Sequence, residues 1–162
     1  MMKTLLLLRH AKSDWSDPAV ADHDRPLNRR GKWARTIVAD HVAGRNVDRV
    51  VCSPARRARA TAKPVVKMLG CPVSYENMLY DADLEGLLDV IRALSDRDET
   101  VMLVGHNPSL EGLTAALCGH SPPYPTAGLA TVNLSIKRWD EVTSGSGTLT
   151  AFFTPTMPRA KS

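Results

Sequence analysis

Residues 4–15 read TLLLLRHAKSDW. Four leucines run without a polar break into Arg9 and His10, and that junction decides how the rest of the chain is read. A short continuous apolar run bounded by polar residues is the pattern of a strand buried on both faces, as in a parallel sheet covered by helices. A charged pair directly at its end belongs at the rim of such a sheet, where chemistry can reach it.

Outward from this point, apolar runs alternate with helical spacing. A polar loop spans 12–26. Asn28 suits the N-cap of a helix whose inward face would be Trp33, Ile37, Val38 and His41 or Val42. DRVVCS (48–53) reads as a second strand. Residues 54–69 read as a helix kinked or broken at Pro64, which has no N–H to donate. PVSYE (72–76) is a weaker third strand. Asp83 suits the cap of a helix carrying Leu84, Leu87, Leu88, Ile91 and Leu94. TVMLVG (100–105) is a fourth strand buried on both faces. Asn107 then reads as a cap and Pro108 as the first residue of a helix with Leu110, Leu113 and Leu117 inward. After a loop at 121–128, LATVNLSI (129–136) and TLTAFF (148–153) alternate like an edge hairpin, joined through a Gly/Ser turn at 144–147. No repeat or linker interrupts the pattern, so one domain over 1–162 is expected.

Strand–helix alternation predicts an α/β fold with a largely parallel sheet and helices on both faces. Ligands of such sheets bind beyond the carboxyl ends of the strands. Arg9 and His10 follow the first strand, Ser53 and a run of arginines follow the second, and His106 follows the fourth. Separate strand ends therefore bring two histidines and at least one arginine to one edge.

That set suits a phosphoryl group. Arginine forks match its oxygens with paired hydrogen bonds, and helix N-termini add backbone donors. A neutral imidazole can attack phosphorus and form a covalent phosphohistidine. A second histidine can stabilise charge on the transferring group, and a carboxylic acid can protonate the leaving group. Arg57 is the arginine expected to turn inward, because its helical neighbours Ala60, Thr61 and Pro64 are small. Arg56, Arg59, Lys63 and Lys67 form a stripe on one helix face and are expected to be solvated.

Composition narrows the choice. The chain has 162 residues, 43% hydrophobic and 23% charged, with net charge +4. This mild excess suits an anionic substrate, and no aromatic platform accompanies the 56–67 stripe, so nucleic acid is not an expected partner. The cysteines, Cys52, Cys71 and Cys118, lack metal-ligand spacing and read as reduced thiols, which points to the cytoplasm. Leu5–Leu8 is too short for a signal peptide, and no apolar run is long enough for a membrane span. A cysteine-dependent phosphatase would need arginine six residues after the cysteine; from Cys52 that position is Ala58. No His-Glu-x-x-His or similar cluster suggests a metal.

Taken together, LLLLRHAKSDW, CSPARRARATA, LVGHNP and RPLNRRG (25–31) resemble the motifs of the histidine phosphatase superfamily, with its phosphoglycerate mutase-like fold. The shared RHAKS, DHDRPL and GHNP are most similar to the short SixA-like phosphohistidine phosphatases. Ala11 stands where the wider superfamily has glycine, as that branch accepts. The resemblance implies a three-layer α/β/α sandwich, with a mostly parallel six-stranded sheet and one antiparallel strand. It implies His10 as nucleophile and Arg9, Arg57 and His106 around the phosphate, with no metal or organic cofactor. Asp81, in MLYDAD, matches the place where the family carries its proton-donating glutamate; Glu76 and Asp83 are the other carboxylates nearby. Ser16 matches a phosphate-contacting asparagine of mutase relatives. The expected function is removal of a phosphoryl group through a covalent phosphohistidine, with a phosphohistidine-bearing protein such as a histidine phosphotransfer domain as substrate. A small phosphoester as substrate, or a non-catalytic phosphoprotein-binding module, are the alternatives. The connections are short, with no segment long enough for the lid that a mutase needs to keep water out.

Overall fold

The computed structural model describes residues 2–156. Lys3–Arg9 forms β1, and Leu5 to Leu8 are at most 1% exposed. The strand pairs in parallel with Thr100–Gly105 (β4) on one side and antiparallel with Leu129–Leu134 (β5) on the other. Arg49–Cys52 (β2), Val73–Tyr75 (β3) and Gly147–Phe153 (β6) complete a six-stranded sheet of order β3-β2-β4-β1-β5-β6. β5 runs against both its neighbours, whereas the pairings among β1 to β4 are parallel.

The leucine run is uniformly apolar because both faces are covered. Leu6 and Leu8 face Arg29–Val42 (α1) and Arg56–Leu69 (α2), in a cluster with Val38, Val42, Ala58 and Val65. Leu5 and Leu7 face the opposite layer, Leu84–Arg92 (α3) and Ser109–Cys118 (α4), packing with Leu87, Ile91, Leu110 and Leu113. Each fully buried leucine contributes about 1.5–3 kcal/mol of transfer free energy. This is the three-layer mixed α/β/α architecture expected of the phosphoglycerate mutase-like fold.

Asn28 caps α1, accepting from Gly31 N at 2.9 Å. The helix is rotated from the expected face. Val38 and Val42 are buried, but Trp33 and Ile37 are only half-buried and His41 is exposed, its ring stacked on Phe153. The cause is Gly31. A Cβ there would collide with the Lys12 carbonyl, so the helix approaches the loop after β1 through Gly31 and buries the residues in line with it.

α2 is not broken at Pro64. The proline cannot donate to Ala60 O, one turn back. Arg35 of α1 supplies the missing donor, its Nη1 lying 2.9 Å from that carbonyl. Asp83 caps α3 through Gly86 N at 2.8 Å. α4 begins one residue later than expected, at Ser109, with Asn107 Oδ1 accepting from Glu111 N at 3.1 Å. β5 and β6 do pair, but their connection is longer than a tight Gly/Ser turn. It includes a 3-10 turn at Trp139–Glu141 whose Trp139 is fully buried and donates Nε1–H to Asp98 O at 2.8 Å. No helix among the described residues is long and apolar enough to cross a membrane.

Candidate active site

The register of β1, β4 and β2 sets the site. Arg9 pairs with Gly105 and Cys52 with Val104, so the residues just beyond them fall side by side. His10 N donates to Gly105 O at 3.0 Å and Ser53 N donates to Val104 O at 2.9 Å. His10, Ser53 and His106 thus sit together at the carboxyl edge, and α2 starts immediately behind Ser53.

His10 is buried, 7% exposed. Its Nδ1 lies 2.7 Å from Ala11 O. A carbonyl only accepts, so Nδ1 carries the proton and Nε2 keeps a free lone pair. Arg57 Nε donates toward that Nε2 at 3.4 Å. Burial pushes the His10 pKa down to about 4; the Ala11 carbonyl opposes this, and the Arg57 and Arg9 charges add to it. The ring is therefore neutral near pH 7. Thr61 holds the loop behind it, accepting from Ala11 N at 2.9 Å and donating to Arg57 O at 2.7 Å.

His106 lies with its ring centroid 5.1 Å from that of His10. Its Nε2 is 2.7 Å from Ser53 Oγ, which also accepts from Ala55 N at 3.3 Å. Ser53 Oγ can accept from Ala55 N while giving its own proton to Nε2; in that tautomer Nδ1–H is the ring's one donor. That Nδ1 is buried and has no partner among the described residues. Burial, then His10 and Arg57, push the His106 pKa down to about 3.

Arg9 donates Nη1 to Tyr124 O at 2.7 Å, while its Nε is buried and likewise has no partner among the described residues. Buried unsatisfied donors are costly, and the two residues that carry these line one cleft, where an anion could complete them. Arg57 is 6% exposed and held by Asp22: Nη1 donates to the Asp22 main-chain oxygen at 2.7 Å and Nη2 to its carboxylate at 3.1 Å. The same carboxylate accepts from Tyr80 Oη at 2.7 Å and from Arg25 Nη2 at 2.8 Å. These hydrogen bonds, Tyr80 foremost, hold the Asp22 carboxyl well below the usual range. Arg25 also donates Nη1 to Ser13 Oγ at 2.6 Å and carries the Trp15 ring 3.4 Å over its guanidinium.

The resulting cleft has a volume of about 310 Å³. Arg9, His10, Arg57 and His106 line it together with Lys12, Ser13, Trp15, Arg25, Asn107 and Thr126. No carboxylate is among them. Ser16 stands outside the cleft, exposed, its N–H donated to Asp14 Oδ1 at 2.7 Å; Ser13 is the serine that enters. Asp81 is exposed and does not line the cleft, although its neighbour Tyr80 packs edge-on against His106. Glu76 and Asp83 are engaged locally as caps, on Met78 N and Gly86 N. Asp22 and Arg25 were not singled out by sequence. The signal available was their i,i+3 spacing inside DHDRPL. Among the described residues no three His, Cys, Asp or Glu side chains are grouped to hold a metal ion.

The profile of the histidine phosphatase superfamily (branch 1) matches residues 5–87. The chain belongs to the histidine phosphatase superfamily. An uncharacterized protein of Mycobacterium leprae is 33% identical, over 91% of this chain and 99% of its own length. Among solved structures, a candidate SixA phosphohistidine phosphatase from Agrobacterium tumefaciens is 32% identical with a TM-score of 0.81, covering 96% of this chain and 99% of that one. Another candidate SixA, from Nakamurella multipartitia, is 27% identical with a TM-score of 0.85, covering 97% and 98%. Within the superfamily the chain is SixA-like, and its membership and cleft give it phosphatase chemistry.

Proposed function

We propose that this phosphatase hydrolyses phosphohistidine carried on another protein, through a covalent phosphohistidine formed on its own His10. His10 Nε2 attacks phosphorus, and an N–P bond forms as the bond to the leaving imidazole breaks. Arg9 Nε–H and His106 Nδ1–H, both without partners among the described residues, receive phosphoryl oxygens. Arg57 Nε–H, already aimed at His10 Nε2, supplies a third donor while Asp22 holds the rest of its guanidinium. Water then attacks the phosphoenzyme. His10 departs as neutral imidazole because its Nδ1 keeps the proton shared with Ala11 O, and inorganic phosphate is released.

The make-up of the cleft lining among the described residues, cations and neutral donors with Asp22 engaged behind Arg57, supports the choice of substrate. An alkoxide leaving group needs an acid, worth about 10²- to 10⁴-fold in rate. A phosphorylated imidazole can leave neutral, because its other nitrogen already holds a proton. A site built from cations and neutral donors therefore favours phosphohistidine. For alkyl phosphates, Asp81, exposed beside Tyr80, is the proposed acid. Ser16 is kept as a phosphate contact only for a substrate that reaches beyond the cleft.

The test is kcat/KM on a phosphorylated histidine phosphotransfer protein against serine and alkyl phosphates, for the wild type and Asp81→Asn. Phosphohistidine should be preferred by about 10²-fold or more, and Asp81→Asn should slow only the alkyl substrates. Faster turnover of small esters would assign the site to small phosphoesters. Equal losses on both substrates would remove Asp81 as leaving-group acid.

A further inference from the structure

A second depression, of about 530 Å³, lies between α2 and the edge strand β3 and is larger than the catalytic cleft. Arg56, Arg59 and Lys63 form one wall, Tyr75 the other, and Val66 and Val73 contribute to the floor. Tyr75 is 56% exposed. Among the described residues, none of these three cations makes a salt bridge, in contrast to Arg25 and Arg57 in the catalytic cleft. Like charges crowded along one helix without counterions repel one another, and a complementary anionic surface relieves this.

The backbone of β3 adds a second feature. Val50 N donates to Pro72 O and Glu76 N to Cys52 O, each at 3.0 Å. Those bonds turn the amides of alternate residues toward β2. The N–H and C=O groups of Val73 and Tyr75 therefore face the open edge, which an added strand can pair with. The depression also adjoins the chemistry. Arg56 precedes Arg57, which enters the catalytic cleft, and Tyr75 sits at the carboxyl end of β3, on the same edge as His10.

We infer that the α2–β3 groove docks an extended acidic segment of the phosphorylated partner protein and so helps present its phosphohistidine to His10. Cations along α2 meet the acidic side chains, and the free edge of β3 supplies backbone hydrogen bonds. One isolated tyrosine gives no stacking platform, which favours a peptide over a nucleic acid strand. The inference rests on the proposed protein substrate.

Two readouts separate the claims. A fluorescent oligoglutamate peptide should bind the wild-type protein, and Arg56→Glu/Lys63→Glu should weaken it by about tenfold or more. Arg29→Glu/Arg30→Glu, the same charge change on α1, should leave the affinity within about twofold, and vanadate filling the catalytic cleft should not displace the peptide. In kinetics, Arg56→Glu/Lys63→Glu should lower kcat/KM about tenfold on a phosphorylated histidine phosphotransfer protein and leave it unchanged on a small phosphoimidazole. Equal peptide affinities in the two charge variants, tighter binding of an oligonucleotide of equal charge, or equal losses on both substrates would overturn the groove. A wild-type protein inactive on the phosphoprotein would overturn the substrate reading instead, and the peptide arm would still decide the groove.

Discussion

Asp22→Asn separates two roles for the carboxylate beside the cleft. The group could act as a proton donor, or it could be a fixed anion that orients Arg57. The structure favours orientation. Three side chains hold the carboxylate ionised: Tyr80 through Oη at 2.7 Å, Arg25 through Nη2 at 2.8 Å and Nε at 3.2 Å, and Arg57 through Nη2 at 3.1 Å. A carboxyl held well below its usual range has no proton to give near pH 7. The stability cost of the substitution should be small. The Asp22 side chain is 52% exposed, and solvent-screened pairs contribute about 0.2–1 kcal/mol each. Losing two of them costs about 1 kcal/mol, or about 2–4 °C in Tm for a chain of this size. The catalytic cost should also be small, because Arg57 Nη1 still donates to the main-chain oxygen of residue 22 at 2.7 Å. kcat/KM should fall less than about tenfold, against about 10²- to 10³-fold for Arg57→Ala, which removes the positive charge itself. Vanadate should bind at least as tightly as before, because a negative charge beside its site has gone. The assays are steady-state kinetics, vanadate inhibition and thermal unfolding on the same preparations. A loss of kcat/KM as large as that of Arg57→Ala would refute the reasoning and make Asp22 a participant in proton transfer.

Two further predictions follow from buried groups. Arg35→Met should cost about 1–3 kcal/mol by leaving Ala60 O without a donor, but much less in a Pro64→Ala background, where the helix regains its own N–H; additive losses in denaturant unfolding would contradict the compensation. Nitrogen NMR should find the His10 and His106 rings neutral at pH 5, since their pKa values lie at about 4 and about 3. The unfolded chain takes up protons on these histidines below pH about 6.5 while the folded one does not, so each should cost about 2 kcal/mol of stability between pH 7 and pH 5. Asp22 adds a further loss only below about pH 3.8, as its unfolded counterpart protonates first; a protein equally stable at pH 7 and pH 5 would mean the histidines are not held neutral.

Where sequence reading succeeded, local pattern and tertiary environment agreed. The leucine run is uniformly apolar because α1 and α2 cover one face of β1 and α3 and α4 the other. Arg57 could be chosen over Arg56 because only its side of the helix is lined by small residues. Where reading fell short, the cause lay far along the chain. Asp22 acquires its role from Arg57 and Tyr80, 35 and 58 residues away, which no local spacing reveals. The α1 face shifted because Gly31 meets the Lys12 backbone. Pro64 left its helix intact because Arg35 reaches across from another helix. Ser13 rather than Ser16 lines the cleft because an isolated bridge pairs Ser13 with Leu27, while Ser16 turns back on Asp14.

The proposed mechanism turns on a covalent phosphoryl group on His10. Brief reaction with a labelled phosphoryl donor, followed by alkaline quench and peptide mass spectrometry, addresses it most directly. Acid-labile, base-stable phosphate is expected on the peptide containing His10, located at Nε2, with neither label nor turnover in His10→Ala. Label elsewhere in the wild type, or a His10→Ala protein that still hydrolyses phosphohistidine, would contradict it.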